Sequence, residues 1–260
     1  MSTINHNDWG LSVAEGKISR YSVVNKFGHS DTIGTSFAPV AEGNVYQTPR
    51  TVQSLEILSS STSDTSTGPG AKTMRVIGLG SDWRQQSEDV IMNGTTAVPL
   101  TKTWFRVYRL YMLTSGTYAT AAAGTHVGAI TLRGAGAGAT WAVITATDFP
   151  KGQSTIAAYT VPLGYTAYMI NQEVHVASTK AVDFLMFQRP DANQVDTPYS
   201  AMRVVNEHNS VSEQAGTVYK LPRGPFVGPC DIGMMAKVAS GTGSASVEFE
   251  LALYNSNTTL

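Results

Sequence analysis

The sequence has one cysteine and few charged residues. Among its 260 residues, 14% are Asp, Glu, Lys or Arg, and the formal net charge is −1. A single cysteine excludes an internal disulfide and a zinc site built from cysteines, and we expect Cys230, which follows a proline, to be a buried thiol. Lys and Arg form no cluster along the chain. Nucleic acid is therefore not an expected partner, because neutralising phosphates requires clustered basic side chains.

Long apolar segments are also missing. No run approaches the roughly 18 apolar residues that a membrane-spanning helix needs, so no membrane partner is expected. The first ten residues, MSTINHNDWG, are polar and lack the apolar core of a secretion signal, so we expect a chain that is made in the cytoplasm without such a signal. Low charge gives copies of the chain little electrostatic repulsion. The composition thus favours a protein that hides much of its surface in an assembly.

A helical period is nearly absent, and alternation with a period of two dominates. In residues 246–253, Val247, Phe249 and Leu251 share one face of a strand, with Glu248 and Glu250 on the other. Similar segments, separated by turn residues such as Asn-Gly and Pro-Gly, predict strands at 17–24, 52–58, 73–79, 88–92, 103–113, 127–132, 141–146, 157–161, 170–176, 182–187, 201–205 and 231–239. The predicted fold class is therefore all-β.

The spacing of these strands predicts two jelly-roll-like β-sandwich units after an extended N-terminal arm. We place the arm at 1–28, the first unit at 29–150 and the second at 151–260. The Ser-rich and Thr-rich segment 59–70 is long enough to be functional or mobile, and we expect a solvated loop there.

One segment matches a cofactor motif. Gly134–Ala139 reads GAGAGA and fits the dinucleotide fingerprint G-x-G-x-x-A, which requires a helix after the glycines and an acidic residue about 20 positions later. The β-branched run 141–147 follows instead, and the acid is absent. We predict a hairpin loop that joins two strands, and no cofactor.

Catalytic and metal-binding patterns are equally weak. Residues 28–32, GHSDT, lack the second glycine of a nucleophile elbow, and the five histidines show no ligand spacing. Asp82, Glu88 and Asp89 lack the spacing of a calcium loop. Glu248 and Glu250 are about 7 Å apart on one strand face, as glycosidase carboxylates can be, but any alternating strand with two acids has this geometry, and a solvated outer face is the favoured explanation. We predict no catalytic residues, no metal and no enzymatic activity.

Several segments resemble a known group of proteins. Residues 16–28, GKISRYSVVNKFG, are similar to the VNKFG opening of a group of virion proteins of tailed bacteriophages. Further segments resemble that group in the same order, at 55–65, 76–79, 92–98, 159–168 and 229–232. The resemblance implies a virion structural protein made of β-sandwich units, located on the head as decoration or in the tail, with no catalytic residues to transfer.

From this resemblance we expect a decoration (cement) protein on the phage head surface. Its expected partners are the major capsid protein and two further copies of itself in a homotrimer. The alternative is a tail or baseplate component that binds a receptor or a carbohydrate.

The apolar arm residues Trp9, Val23, Val24 and Phe27 are predicted to anchor on another subunit. Removal of 1–28 is then expected to leave a folded protein. An equally open alternative is that the arm supplies the first strand of its own domain.

Overall fold

The computed structural model describes residues 9–118, 125–146, 151–177, 179–212 and 214–256. It contains one short helix, α1 (Trp9–Ala14), a 3₁₀ turn (Glu42–Asn44), and strands β1 (Tyr21–Ile33), β2 (Ala38–Pro39), β3 (Gln53–Ser59), β4 (Ala71–Leu79), β5 (Gln85–Ile91), β6 (Val98–Trp104), β7 (Arg106–Ser115), β8 (Ile130–Gly134), β9 (Thr140–Ile144), β10 (Ala158–Val161), β11 (Tyr165–Val176), β12 (Val182–Arg189), β13 (Arg203–Val211), β14 (Gln214–Val227), β15 (Cys230–Val238) and β16 (Gly243–Asn255). The all-β prediction is confirmed.

Strands β3 to β9 pair only with one another. One sheet has the order β6-β3-β8-β9 and the other the order β5-β4-β7. Leu55, Ile57, Val76 and Leu110 from these two sheets are fully buried. These seven strands form the first unit, which spans residues 53–144.

The second unit contains strands from both ends of the chain. Its sheets have the orders β1-β16-β11-β14 and β10-β15-β12-β13, and the short strand β2 pairs with β15. Its core includes Phe184, Met186 and Phe249, and the buried apolar residues of both units belong to one continuous cluster. The chain therefore begins in the second unit, builds the first, and returns to finish the second.

This topology corrects the predicted position of the arm. Residues 21–30 pair without a break with β16, from Tyr21 opposite Tyr254 to Ser30 opposite Ala245. Within this strand Lys26, Gly28 and Ser30 are buried. Gly28 is required by close packing, because a Cβ there would lie 2.0 Å from the Val40 carbonyl oxygen. Of the two alternatives for this segment, the structure has the one in which it forms a strand of its own unit. The pairing also separates β1 and β2 from the predicted unit 29–150.

The segment GAGAGA is the turn of the β8–β9 hairpin, as predicted. The Gly134 amide donates to the Ala139 carbonyl at 2.9 Å, and Gly136 and Ala137 have positive φ values of 74° and 62°. The Glu56 carboxylate accepts hydrogen bonds from the amides of these two residues, both at 3.1 Å. The amides that would cradle a phosphate in a cofactor enzyme thus bind a side chain of the neighbouring strand.

The segment 59–70 is organised around a buried carboxylate. Asp64 is fully buried and accepts hydrogen bonds from the amides of Ala71 (2.7 Å), Val127 (3.0 Å) and Gly128 (2.8 Å) and from the Ser59 hydroxyl (2.5 Å). Burial by itself raises the pKa of Asp64, but these four donors outweigh burial, and the pKa lies below its ordinary value. The loop is therefore fixed to the first unit by its central acid.

Replacing Asp64 by Asn is expected to lower the free energy of unfolding by about 2 kcal/mol at pH 7, because charge-assisted hydrogen bonds lose their acceptor. Since the folded-state pKa is lower than that of the unfolded chain, the stabilisation is present above about pH 4 and disappears as the pH falls through the folded pKa. Urea titrations at pH 7 and pH 3 measure both effects. Asp82→Asn is the control, because that exposed carboxylate accepts one turn amide. An equal loss at the two pH values would contradict the role of ionised Asp64.

Candidate interaction site

The two units meet at a buried ion-pair network. Arg106, the first residue of β7, donates from Nε and Nη2 to the two carboxylate oxygens of Asp231 in β15, at 2.8 and 2.9 Å. Both side chains are 1% exposed. Arg189, at the end of β12, donates to Asp231 Oδ2 from Nε at 3.0 Å and also from Nη2. One carboxylate thus joins a strand of the first unit to two strands of the second.

Two hydroxyl groups extend this network. Thr160 donates its hydroxyl to Asp231 Oδ1 at 2.5 Å, and the Tyr46 hydroxyl, 2.5 Å from Thr160 Oγ1, donates in turn to that oxygen. The Arg106 guanidinium lies 5.0 Å from the ring centroid of Trp83, which stacks on Phe105. Burial by itself raises the pKa of Asp231, but Arg106 and then Arg189 outweigh burial and lower the pKa. Asp231 is therefore an ionised acid that holds the units together.

A second buried cation, Lys26, makes a contact across the junction between the two units. The Lys26 amine of β1 donates to the Tyr108 carbonyl and lies 5.6 Å from the centroid of the Tyr108 ring. In β7, Arg109 pairs with Ile77 and Val107 with Gly78, which leaves Tyr108 as a bulge without a partner on β4. The carbonyl of Tyr108 is therefore available to Lys26. Burial, with a smaller contribution from Arg109, holds the pKa of Lys26 well below its ordinary value.

Three of the four predicted anchor residues, Val23, Val24 and Phe27, line one cavity of about 360 Å³, and Trp9 lies outside that lining. Val23 and Phe27 lie on the outer face of the β1–β16 pair, opposite Ala252 and Glu248, and Val23 is 40% exposed. Val24 lies on the inner face and packs against the core. Trp9, at the start of α1, makes an edge-to-face contact with Tyr21, with centroids 5.7 Å apart. The structure does not join the four into one patch, and their binding role stays a prediction.

Trp9 instead belongs to an aromatic cluster on the outer face. Tyr21 lies 5.1 Å from Tyr254 between ring centroids, and the Arg20 guanidinium lies 4.6 Å above the Tyr254 ring. A cavity of about 370 Å³ opens beside these rings, lined by Trp9, Tyr21, Tyr168, Pro222 and Ala252. Its lining is largely apolar.

Apolar side chains are exposed on several edge strands. Ile91 on β5 is 62% exposed, Val204 on β13 is 54% exposed, and Val227 on β14 is 60% exposed. Strands β13 and β14 lie side by side, since the Arg223 guanidinium donates to the Val205 carbonyl at 2.7 Å. An edge strand with exposed apolar residues favours pairing with another chain. These edges are the candidate contact surfaces of the protein.

The weak catalytic patterns form no active site in the described residues. His29 contacts the Ser246 hydroxyl at 2.8 Å and Asp31 at 2.9 Å, whereas the Ser30 hydroxyl donates to Asn44, so the adjacent Ser and His do not form a nucleophile and base pair. Glu248 accepts a hydrogen bond from Asn25 at 2.6 Å and lies on an exposed face. Cys230 is buried as predicted, and burial raises its pKa to about 12. A thiol with that pKa is unreactive.

The described residues contain neither a metal-binding cluster nor a membrane-spanning helix. Within 9–118, 125–146, 151–177, 179–212 and 214–256, no three or more His, Cys, Asp or Glu side chains are grouped so as to hold a metal ion. In the same residues, no helix is both long enough and apolar enough to cross a membrane.

Sequence reasoning missed the network around Asp231. Arg106 and Asp231 are 125 residues apart, and each lies in an apolar strand segment, WFRVY and CDIGM. A charged residue in such a segment must find a partner or remain hydrated. The two isolated charges of opposite sign were the available signal, although they do not specify which partner each one takes.

Comparisons with models of protein families and with curated proteins give no match. Similar solved structures include that of infectious bursal disease virus Gt strain, with a TM-score of 0.27 and 10% sequence identity over 92% of this chain and 74% of that chain. The structure of the Gx strain has a TM-score of 0.28 and 13% identity over 92% of this chain and 73% of that chain. The infectious bursal disease virus VP2 subviral particle has a TM-score of 0.26 and 11% identity over 92% of this chain and 74% of that chain. TM-scores this low establish neither a common fold nor a common function.

Proposed function

We propose that this chain is a virion structural protein of a tailed bacteriophage, and more specifically a decoration (cement) protein that binds the major capsid protein on the head surface as a homotrimer. The observation that carries the proposal is the exposure of Ile91, Val204 and Val227 on β5, β13 and β14, each of which pairs with one neighbouring strand and forms the edge of its sheet. A protein that works alone usually protects such edges with charge, bulges or covering loops. An assembly component covers them with its neighbours.

The architecture supports the same proposal. The two sandwich units are joined by a fully buried Arg106–Asp231 pair, which favours a rigid block over two hinged domains. A rigid block suits a protein that must match a repeating lattice, because little conformational entropy is lost when it binds. The resemblance of residues 16–28 to virion proteins supports the same reading.

The proposed capsid contact is tested with Val204→Lys and Val227→Lys combined. Lysine at these positions is expected to abolish both self-association and binding to empty capsids, because an edge with added charge resists further strand pairing. Sedimentation velocity measures the oligomer, and co-sedimentation with capsids measures the binding. Ser81→Lys, which adds charge at an exposed position of the β4–β5 turn and leaves β13 and β14 unchanged, is the control and is expected to retain both. Unchanged binding by the double variant would exclude this edge as the contact surface.

The number of copies of this protein per virion distinguishes a head protein from a tail protein. Quantitative mass spectrometry of purified virions is expected to give hundreds of copies for a head decoration protein, whereas about a dozen copies would favour the tail or baseplate. The aromatic cluster of Trp9, Tyr21, Tyr168 and Tyr254 favours carbohydrate binding in that second case, since sugar rings stack on aromatic faces beside polar side chains. A low copy number with measurable glycan binding would replace the decoration proposal.

A further inference from the structure

A small cavity beside the buried network has an excess of positive charge. Its volume is about 250 Å³, and three arginines line it: Arg50 from the segment that leads into the first unit, Arg106 from β7 and Arg189 from β12. The described residues place no acidic side chain in its lining. Asp231 neutralises one charge through its contacts with Arg106 and Arg189. The described lining and Asp231 together hold three guanidinium groups and one carboxylate, a surplus of two positive charges.

Arg50 and Arg189 retain donors that no group in the described residues uses. Arg50 donates from Nη1 to the Tyr199 hydroxyl and lies 5.4 Å above the Tyr199 ring, and its other nitrogens have no hydrogen-bond partner among the described residues. Arg189 uses Nε and Nη2 on Asp231, which leaves its Nη1 unpaired within the same residues. Each group lines the cavity. Guanidinium nitrogens in this arrangement bind oxygen atoms of an anion in a bidentate manner.

The cavity is also fixed in shape. Arg106 is held by Asp231 and by the Phe105 carbonyl at 2.8 Å, and Arg189 by Asp231, so both guanidinium groups are oriented before any ligand arrives. Asp191 and Asp196, the acids of the loop after β12, do not line the cavity. A preorganised site loses less conformational entropy when it forms charge-assisted hydrogen bonds.

We propose that this cavity binds a phosphate dianion, either free inorganic phosphate or the terminal group of a small phosphate monoester. Two surplus positive charges match a dianion, whereas a carboxylate would leave one charge uncompensated. The bound phosphate links the segment that leads into the first unit with β12 of the second, because the free donors belong to Arg50 and Arg189. Its binding therefore raises the stability of the whole chain.

The test uses the full chain at pH 7.5 and constant ionic strength, with inorganic phosphate, glycerol 3-phosphate, acetate and chloride as probes. Phosphate, the ester or both are expected to raise the melting temperature relative to chloride and acetate, and calorimetric titration gives the dissociation constant. Arg50→Gln is expected to weaken this binding by about tenfold or more, since it removes a charged donor. Arg84→Gln, which removes an exposed arginine from the β4–β5 turn, is expected to leave binding unchanged.

The outcomes are distinct. Binding of phosphate but not of the ester identifies the free ion, and binding of the ester identifies a monoester site. A shift that is the same in phosphate, acetate and chloride overturns the proposal, as does equal weakening by Arg50→Gln and Arg84→Gln. Arg50 is exposed, so its replacement is expected to leave the melting temperature in chloride unchanged, and that measurement separates lost binding from lost folding.

Discussion

Replacement of Asp231 by alanine is expected to lower the free energy of unfolding by about 3–5 kcal/mol, because it leaves the guanidinium of Arg106 buried without a counter-charge. Arg106 and Asp231 are each 1% exposed, so water does not replace the lost partner without opening the junction. The loss is a large part of the stability of an ordinary domain. Guanidinium chloride titration, followed by tryptophan fluorescence and far-UV circular dichroism together, measures it.

Asp89→Ala provides the matched control. Asp89 also accepts two hydrogen bonds from one arginine, Arg75, at 2.6 and 2.7 Å, but its side chain is 44% exposed. Solvent screens an exposed pair, so this change is expected to alter stability little. If the two variants lose the same stability, burial is not what makes the Arg106–Asp231 pair important. Because the unpaired Arg106 destabilises the junction of both units, the two spectroscopic signals are expected to change together.

Deletion of residues 1–28 is expected to prevent cooperative folding. It removes Tyr21–Gly28, eight consecutive residues that pair with β16, together with the buried Lys26 and the core contact of Val24. Strand β16 then loses one of its two hydrogen-bonded neighbours, and its edge becomes an unpaired template. This outcome replaces the expectation that the segment is a removable arm. Solubility, circular dichroism and the melting transition of the truncated chain measure the effect.

Deletion of residues 1–20 distinguishes the contribution of strand β1 to folding from that of helix α1. It keeps the whole of β1 and removes α1, whose contacts include the buried Val13 and the edge of Trp9 on Tyr21. We expect a folded protein with a modestly lower melting temperature. A folded, cooperative product from the deletion of 1–28 would show that β16 does not need β1, contrary to the pairing.

Local patterns predicted individual strands better than their arrangement. The alternation in 246–253 predicts β16 and its faces, because a two-residue period depends only on neighbouring residues. Strand β14 was not predicted, since Pro222 and Pro225 argue against a strand. The structure explains this exception, because β14 is an edge strand, where a missing amide donor is tolerated. The continuous run 103–113 is divided at Phe105 between β6 and β7.

Long-range pairing was beyond what the sequence reveals. The partner of β1 is more than 200 residues away, and nothing in residues 21–33 distinguishes the β16 edge from any other strand edge. The candidate site was hidden for the same reason, because Arg106, Arg189 and Asp231 come from three separated segments. The anchor residues were identified by composition as apolar groups in a polar segment, yet Val24 is apolar because it faces a core.

The pairing of β1 with β16 also determines the order in which the chain can fold during synthesis. The seven strands of the first unit are complete once residue 144 has left the ribosome, and this unit can fold while the second is still missing its last strand. Throughout that interval β1 has no partner within its own chain. When neighbouring ribosomes translate the same message, the free β1 of one nascent chain can pair with the finished β16 of another, which is domain swapping between newly made copies.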